Sequence, residues 1–153
     1  MADPREAILQ RLLAIAGEVE GINRTARNVP VIEEGAAQLP ALVLLDGDEE
    51  ASDADPTNRP SWSKRRVEMM PDLLLAVGAT PATVGADLNT LRARIIAAVV
   101  TDAALQALVL DRTGIRYDGM IAPRDELGRM VLSQRALRFT LTYVLDPNTL
   151  SLS

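Results

Sequence analysis

A strongly acidic segment between two apolar, β-prone runs most constrains how this chain can fold. The segment DGDEEASDADPTNRPSWSKRR separates Ala41–Leu45 from the run that starts at Val67. Its first ten residues, 46–55, contain six of the 21 acidic residues and no basic one, which leaves 15 acidic and 16 basic residues elsewhere, so the net charge of −5 arises in this stretch. The six are Asp46, Asp48, Glu49, Glu50, Asp53 and Asp55. So polar a segment cannot enter a core, and we predict an arm that contacts a partner.

The size and composition of the chain predict one soluble domain. A length of 153 residues, with 48% hydrophobic and 24% charged residues, suits a single globular core. The beginning of the chain is acidic where a signal peptide would be basic, and no apolar run is long enough to span a bilayer. We therefore expect synthesis in a cytoplasm and no membrane partner. The acidic balance also disfavours binding to nucleic-acid phosphates.

The absence of histidine and cysteine limits the chemistry that this chain can perform. The sequence contains neither residue, which excludes disulfides, the commonest zinc sites, Ser-His-Asp triads and Cys-His pairs. No phosphate-cradling glycine motif is present. We therefore predict no catalytic residues, no cofactor and no metal, and we do not expect an enzyme.

Three segments have the apolar spacing of helices. Residues 5–20 and 84–100 each carry an apolar stripe at spacings of three and four. Asp3 is the predicted N-cap of the first helix and Gly21 its stop. Asp102 is the predicted N-cap of a third, short helix over 103–109.

The remaining apolar runs predict a sheet. We expect a short edge strand over 22–28, a central strand at Ala41–Leu45, strands at Arg66–Met70 and Asp72–Val77, and a closing pair at Gly114–Ala122 and Arg129–Val144 around the turn PRDELG. Pro71 either separates a strand pair or bends one strand, and it marks a bulge or kink. In the last run, apolar residues alternate with polar ones over residues 137–143, which predicts one buried face.

Together these elements predict a single α+β domain: a mostly antiparallel mixed sheet, helices packed on one face, and a long acidic hairpin loop. The domain is expected to span residues 1–146, with the loop 46–64 projecting and a flexible tail at 147–153. Because the loop's composition cannot contribute core, deletion of residues 48–60 is expected to leave the fold intact. The second face of the sheet, which includes Arg138, is expected to meet water or another subunit.

The function of the acidic loop stays open at this point. Calcium binding is disfavoured because Gly47 follows Asp46 directly, which breaks the spacing of an EF-hand loop. A solvated loop and a protein-contacting arm remain as alternatives. Trp62, the only tryptophan, is either a core plug or an interface anchor. The run Lys64-Arg65-Arg66 has too few charges to indicate nucleic-acid binding.

Several segments, taken in order, resemble the tail terminator proteins of long-tailed bacteriophages. They are REAILQRLLAIAGEVEGINRTARN, LPALVLLDGDEE, ADLNTLRARIIAAVVTDAALQAL and YDGM…LSQRALRFTLTYV, and they cover most of residues 5–145. The order and spacing carry the resemblance more than any single motif. The loop at 47–64 and the tail after 146 match least.

The resemblance implies a structural virion protein of a siphovirus-like phage, assembled in the cytoplasm of a host bacterium. It implies a ring, expected to be a hexamer, at the head-proximal end of the tail. There the ring caps the tail tube, ends tube polymerisation and provides the docking surface for the head-completion or neck protein. DNA would pass through the lumen without specific binding. The alternatives are a head-completion or other neck adaptor protein and, from another class, a small ligand-binding domain or hydrolase.

The candidate contact residues for such a ring are charged or aromatic side chains of the predicted edge strand, the acidic arm and the last strand. The edge strand and the last strand are expected to offer unpaired backbone to neighbouring subunits. The candidate residues are Arg24, Arg27, Asp48, Glu49, Glu50, Trp62, Lys64, Arg65, Arg66 and Arg138.

Overall fold

The computed structural model describes residues 3–28, 39–53, 55, 58–78, 84–111, 113–122 and 132–150. The predicted PRDELG turn and the last three residues lie outside these ranges. In chain order, the elements are α1 (Pro4–Glu18), β1 (Arg24–Arg27), β2 (Ala41–Ala51), β3 (Arg65–Gly78), α2 (Val84–Val100), α3 (Ala103–Leu108), β4 (Ile115–Ile121) and β5 (Leu132–Leu145).

The strands form one five-stranded mixed sheet in the order β1-β2-β3-β5-β4. Only β1 and β2 pair in parallel, and the other three pairings are antiparallel. This confirms the predicted single α+β domain with a mostly antiparallel sheet. It also corrects one prediction: β5 lies between β3 and β4, so the last strand has no open edge. The edges of the sheet are β1 and β4.

The core lies between the sheet and the helices. The predicted helical stripes are buried, as Ile8 and Leu12 in α1 and Ile95 in α2 show. The predicted buried face of β5 is confirmed, because the apolar members of residues 137–143 are at most 2% exposed, although Thr140 on the other face is also buried, at 4%. Buried side chains of β2 and β3 join the same cluster. Because helices cover this face, the other face of the sheet is the one that can carry polar groups.

Both predicted N-caps are present. The Asp3 side chain accepts a hydrogen bond from the Arg5 amide at 2.9 Å, and the Asp102 side chain accepts one from the Leu105 amide at 2.8 Å. Asp102 also receives two hydrogen bonds from the Arg11 guanidinium, at 2.8 and 2.6 Å, which tie α1 to α3. The predicted helix over residues 5–20, with its stop at Gly21, extends two residues too far, because α1 ends at Glu18.

Pro71 lies within one long strand, and the predicted irregularity is a bulge in its neighbour. Leu45 pairs with Asp72 and Asp48 pairs with Met70, so two residues of β2 lie opposite Pro71 alone. Proline has no N–H to donate to the ladder, and the two-residue bulge bypasses that position. Gly47, in the bulge, has φ +72°, and a Cβ there would lie 2.0 Å from the Met70 carbonyl oxygen. The bulge therefore requires glycine.

The acidic run is not simply a loop. β2 continues through Asp48, Glu49 and Glu50 to Ala51, where the prediction ended the strand at Leu45. This extension pairs with the first half of β3. The predicted deletion of residues 48–60 would therefore remove paired strand, and a deletion that tests the loop alone must begin after residue 52.

Candidate protein-interaction site

We define the arm as Asp48–Ala51 of β2, Arg65–Met70 of β3 and the loop 52–64 between them. The Asp55 carboxylate ties this loop to the start of β3. Asp55 accepts a hydrogen bond from the Arg66 amide at 3.0 Å and an ion-paired hydrogen bond from Arg65 Nη1 at 3.3 Å. The hydrogen bond from the Arg66 amide, and to a smaller extent that from the Arg65 guanidinium, lowers the pKa of Asp55. The loop is thus closed across its own base, and Arg65 serves that closure.

Trp62 is the most exposed large apolar side chain in the described part of the chain, with 65% of its surface accessible. Its backbone carbonyl accepts a hydrogen bond from the Asn148 side-chain amide at 2.9 Å. Asn148 belongs to a turn after β5 in which Asp146 accepts from the Asn148 amide at 3.0 Å. Trp62 is therefore not a core plug. It is an exposed indole on an anchored backbone.

The inner side of the arm packs on the domain through Glu49. The Tyr143 hydroxyl donates a hydrogen bond to the Glu49 carboxylate, and Arg5 of α1 lies 3.9 Å from the same carboxylate. Burial, together with the hydrogen bond to Glu49, raises the pKa of Tyr143 above its usual range. The Arg5 guanidinium also donates to the Gly47 carbonyl at 2.8 Å. Glu49 therefore attaches the arm to the domain, whereas the side chains of Asp48 and Glu50 point to the second face of the sheet.

Arg27 of the edge strand bridges two carboxylates at the root of the arm. Its guanidinium donates to Glu6 of α1 and to Asp46 of the β2 bulge, each at 2.8 Å. These hydrogen bonds lower the pKa of both carboxyls. The same contacts raise the pKa of Arg27, which stays protonated. The predicted contact residue Arg27 is thus occupied within the chain, joining helix, edge strand and bulge.

We expect Arg27→Met to lower the free energy of unfolding by about 1–2 kcal/mol near pH 7, because partly exposed charged hydrogen bonds are screened by solvent. Glu6 and Asp46 have lowered pKa values in the folded state. Their stabilisation is present above the unfolded pKa of about 4 and is lost as the pH falls through the folded values. Urea unfolding from pH 7 to pH 2 should therefore show the difference between wild type and variant shrinking in acid.

The control for this prediction is Arg94→Met, since among the described residues the Arg94 guanidinium donates its hydrogen bond to the Glu20 backbone carbonyl, at 3.1 Å, and forms no ion pair with a carboxylate. Its effect should not change with pH. A difference between Arg27→Met and wild type that stays constant down to pH 2 would contradict the assigned bridge.

The second face of the sheet carries a groove between two bulges. A one-residue bulge in β4 places Asp118 between Tyr117 and Gly119, and the β2 bulge lies on the other side of β3 and β5. The groove has a volume of about 480 Å³. It is lined by Gly47, Asp48, Met70, Asp72, Arg116, Asp118, Arg138, Phe139 and Thr140.

The two aspartates Asp72 and Asp118 that line the groove differ in the hydrogen bonds that they accept. Asp118 accepts hydrogen bonds from Arg116 Nε, at 2.5 Å, and from the Thr140 hydroxyl. Asp72 lies 3.8 Å from Arg138, and within the described residues it accepts no hydrogen bond. Burial raises the pKa of Asp72, although the Arg138 charge opposes this. Within the described residues, the Asp72 carboxylate therefore forms an ion pair with Arg138 but accepts no hydrogen bond. It lies on the sheet face that no described helix covers.

The structure separates the predicted contact residues into two groups. Arg27, Glu49 and Arg65 form hydrogen bonds or ion pairs that hold the arm and its root in place. Arg24 is half-buried on β1 and is also engaged in an interaction. The exposed remainder lies on the arm and the second face: Asp48, Glu50, Trp62, Lys64, Arg66 and Arg138.

Sequence reasoning missed Asp72 and Asp118 as members of a site. The available signals were Pro71 beside Asp72 and Gly119 beside Asp118, because proline and glycine inside strands mark bulges.

Among the described residues, no three acidic side chains converge closely enough to hold a metal ion. Each described helix is too short or too polar to cross a lipid bilayer.

Comparison with known proteins finds similarity among solved structures. No protein-family model matches the sequence, and no curated protein matches it. Among solved structures, a chain described as the virion of a native gene transfer agent particle is similar, with 20% identity and a TM-score of 0.49. The alignment covers 92% of this chain and 94% of that chain.

Proposed function

We propose that this chain is a structural virion protein that closes into a ring on the head-proximal end of a phage tail tube. The ring ends tube polymerisation and presents the surface to which the head-completion or neck protein docks. The resemblance of the ordered sequence segments to tail terminators supports this role, and it alone supplies the number of six copies. Assembly takes place in the cytoplasm of the host bacterium.

The observation that carries the proposal is the pair of unlike sheet edges. β1 is parallel to β2, and the alternating pairings beyond it make β4 run opposite to β1. Within the described residues, no further strand pairs with the outer side of β1 or β4. β4 of one copy and β1 of the next would therefore meet as antiparallel strands, which is the favourable hairpin-like geometry. Such a contact joins two different surfaces and closes into a ring when the rotation permits.

The arm supplies the contact to the tube. It extends the sheet at one end, its base is closed by Asp55, and it presents Trp62 on an anchored backbone. An exposed aromatic side chain held in place loses little entropy on binding, which is typical of an interface anchor. The net charge of −5 per copy also suits a lumen through which DNA passes, because phosphates are repelled rather than bound.

The decisive experiment is tube assembly in vitro from the tail tube protein encoded in the same genome. Added in amounts well below the tube protein, this chain should stop growth and appear in electron micrographs as a ring at one tube end. Light scattering of the purified protein tests whether the ring exists before docking, at about six times the 16.5 kDa protomer. Tubes with the same length distribution with and without the protein would contradict the proposal.

We expect Trp62→Ala to weaken binding to the tube end by about tenfold or more, because interface tryptophans contribute at least 1–2 kcal/mol. The midpoint of thermal unfolding should stay unchanged, since the indole is 65% exposed. Co-sedimentation with assembled tubes measures the binding. Leu108→Ala, at a 38% exposed leucine on α3, is the matched control and should bind normally. Equal binding of both variants would exclude Trp62 as the anchor.

A further inference from the structure

We infer that each copy of this chain joins the next in one register, in which Ile121 of β4 lies beside Ala26 in β1 of the neighbouring copy. The inference rests on the ring in the proposed function and deepens it by naming the residues that meet. It does not depend on tube capping.

The free edge of β4 is apolar at a place where edge strands are usually protected. Ile121 is 44% exposed and Met120 is 38% exposed, and these adjacent residues lie on opposite faces of the sheet. Among the described residues, no strand pairs with the outer side of β4. Monomeric proteins protect such edges with charged residues, proline or a covering element, because an apolar edge with unpaired backbone groups binds other chains. This end of β4 therefore has the properties of a pairing surface.

One row of apolar side chains crosses the second face of the sheet from edge to edge. We call this the apolar row, and each strand contributes one residue to it. Ala26 pairs with Val43, Val43 with Leu74, Leu74 with Ala136, and Ala136 with Ile121. The members from β1, β2 and β3 belong to the small apolar cluster on this face. The row therefore ends in an apolar side chain at each of the two open edges.

The backbone of β1 has unpaired groups beside Ala26. The Asn28 amide donates a hydrogen bond to the Leu44 carbonyl at 2.8 Å, so this residue faces β2. Because the direction of the backbone groups alternates along a strand, those of Thr25 and Arg27 face away from the sheet.

The backbone of β4 has unpaired groups beside Ile121. The Thr142 amide donates a hydrogen bond to the Gly114 carbonyl at 2.8 Å, so Gly114 faces β5. The bulge before Gly119 shifts the alternation by one residue, and the groups of Met120 therefore face away from the sheet. Both edges thus offer donors and acceptors at the positions next to the ends of the apolar row.

Only one register joins the two ends of the apolar row. With Ile121 opposite Ala26, Met120 and Arg27 become the adjoining hydrogen-bonded pair. A shift of one residue would place Ile121 beside a side chain of the other face. A shift of two residues would place it beside Arg24, whose charged group would lose water against an apolar side chain. Ala26 is the apolar residue of β1 on the second face, which fixes the register.

The strand that pairs with β4 is β1 of another copy rather than a second β4. Two β4 strands would pair about a twofold axis, which stops at a dimer and leaves both β1 edges unpaired. Pairing of β4 with β1 uses both edges of every copy, and the apolar row then continues from one copy to the next.

The test is disulfide cross-linking, because the sequence contains no cysteine and each introduced thiol is the only one in its chain. Ile121→Cys and Ala26→Cys are purified separately, mixed, and oxidised with oxidised glutathione, both free at high concentration and bound to tail tubes. We expect disulfide-linked dimers in the mixture and only background amounts with either variant alone. Facing residues of a non-hydrogen-bonded antiparallel pair lie about 4.5 Å apart at Cα, within the range of a disulfide.

Two matched controls test the face and the register. Met120→Cys, at the adjacent and similarly exposed residue, should not cross-link to Ala26→Cys, because its side chain lies on the opposite face. Arg24→Cys should cross-link to Ile121→Cys at least about fivefold less than Ala26→Cys does, because it lies about 7 Å further along the strand. Thermal unfolding of each variant confirms that the fold is kept.

A chain that carries both Ile121→Cys and Ala26→Cys gives a second measurement. The two edges of one copy are four strand spacings apart, about 19 Å, so a disulfide within the chain is excluded. We therefore expect a ladder of linked copies that extends beyond the dimer. A product that stops at the dimer would contradict pairing of unlike edges.

Three further results would overturn the inference. Absence of dimers in the mixture, both free and on tubes, would exclude the contact. Stronger cross-linking of Ile121→Cys to Arg24→Cys than to Ala26→Cys would exclude the register. Equal amounts of dimer with Ile121→Cys alone and with the mixture would mean that β4 pairs with β4.

The proposed function fails separately from this contact. Cross-linking in the free protein without tube capping would reject the proposed function and leave the contact standing. Tube capping without cross-linking would reject the contact and leave the proposed function standing.

Discussion

Replacing Phe139 by alanine is expected to lower the free energy of unfolding by about 3–5 kcal/mol, as for other buried aromatic residues. Phe139 is 1% exposed in the middle of β5, between the sheet and the helices. Its ring packs against Tyr117 of β4 with the centroids 5.5 Å apart and the planes tilted by 57°. The truncation removes this ring contact and leaves a cavity. Urea unfolding monitored by circular dichroism measures the loss.

Two further variants test which residues are buried in this core and which are exposed. Leu91→Ala, at a 6% exposed leucine of α2, should cost about 2–4 kcal/mol, because it truncates the opposite wall of the same core. Arg138→Ala changes the neighbouring residue, which is exposed on the other face of the sheet and forms an ion pair with Asp72 at 3.8 Å, so it should cost at most about 1 kcal/mol. If Phe139→Ala and Arg138→Ala lowered the free energy of unfolding by similar amounts, the two faces of β5 would be assigned wrongly.

The elements of this fold are predictable because their signals are local. The spacing of three and four in α1 and α2, and the alternation over residues 137–143, depend only on which side of each element is buried. The N-caps Asp3 and Asp102 are equally local, since each accepts a hydrogen bond from an amide two or three residues away. Such patterns need no knowledge of the rest of the chain.

The order of the strands in the sheet is not predictable in the same way. The alternation in β5 states that one face is buried, but it does not state which strands lie on either side. β5 pairs with β3, far away in sequence, as well as with β4, and this places it inside the sheet. The parallel pairing of β1 with β2 requires a long connection between them, and a long connection does not itself predict which strands pair. The prediction of an open last strand failed for this reason.

The partners of charged residues are the least accessible to sequence reasoning. Six carboxylates close together indicated one solvated segment, yet they have different roles in the structure. Asp46 binds Arg27, Glu49 binds Tyr143 and Asp55 closes the loop. Only the register of β2 and the position of its bulge separate inward from outward side chains. A shift of one residue would exchange the two sets.

Gly47→Ala is expected to destabilise the protein by about 2–4 kcal/mol, because it opposes the backbone geometry on which the arm is built. Its φ of +72° is unfavourable for a residue with a Cβ, by about 1–2 kcal/mol. The added Cβ would also lie 2.0 Å from the Met70 carbonyl oxygen, and a backbone atom cannot move aside as a side chain can. The bulge must then open or shift its register.

The readouts for Gly47→Ala separate local from global damage. Thermal unfolding gives the stability, and hydrogen exchange at the amides of Asp48–Ala51 should report loss of protection in the arm before the rest of the sheet. Gly17→Ala is the matched control, since Gly17 lies in α1 with no atom within 4 Å of the added Cβ. That variant should gain up to about 1 kcal/mol from helix propensity. If both glycines tolerate alanine equally, the two-residue bulge opposite Pro71 is not the geometry that the arm requires.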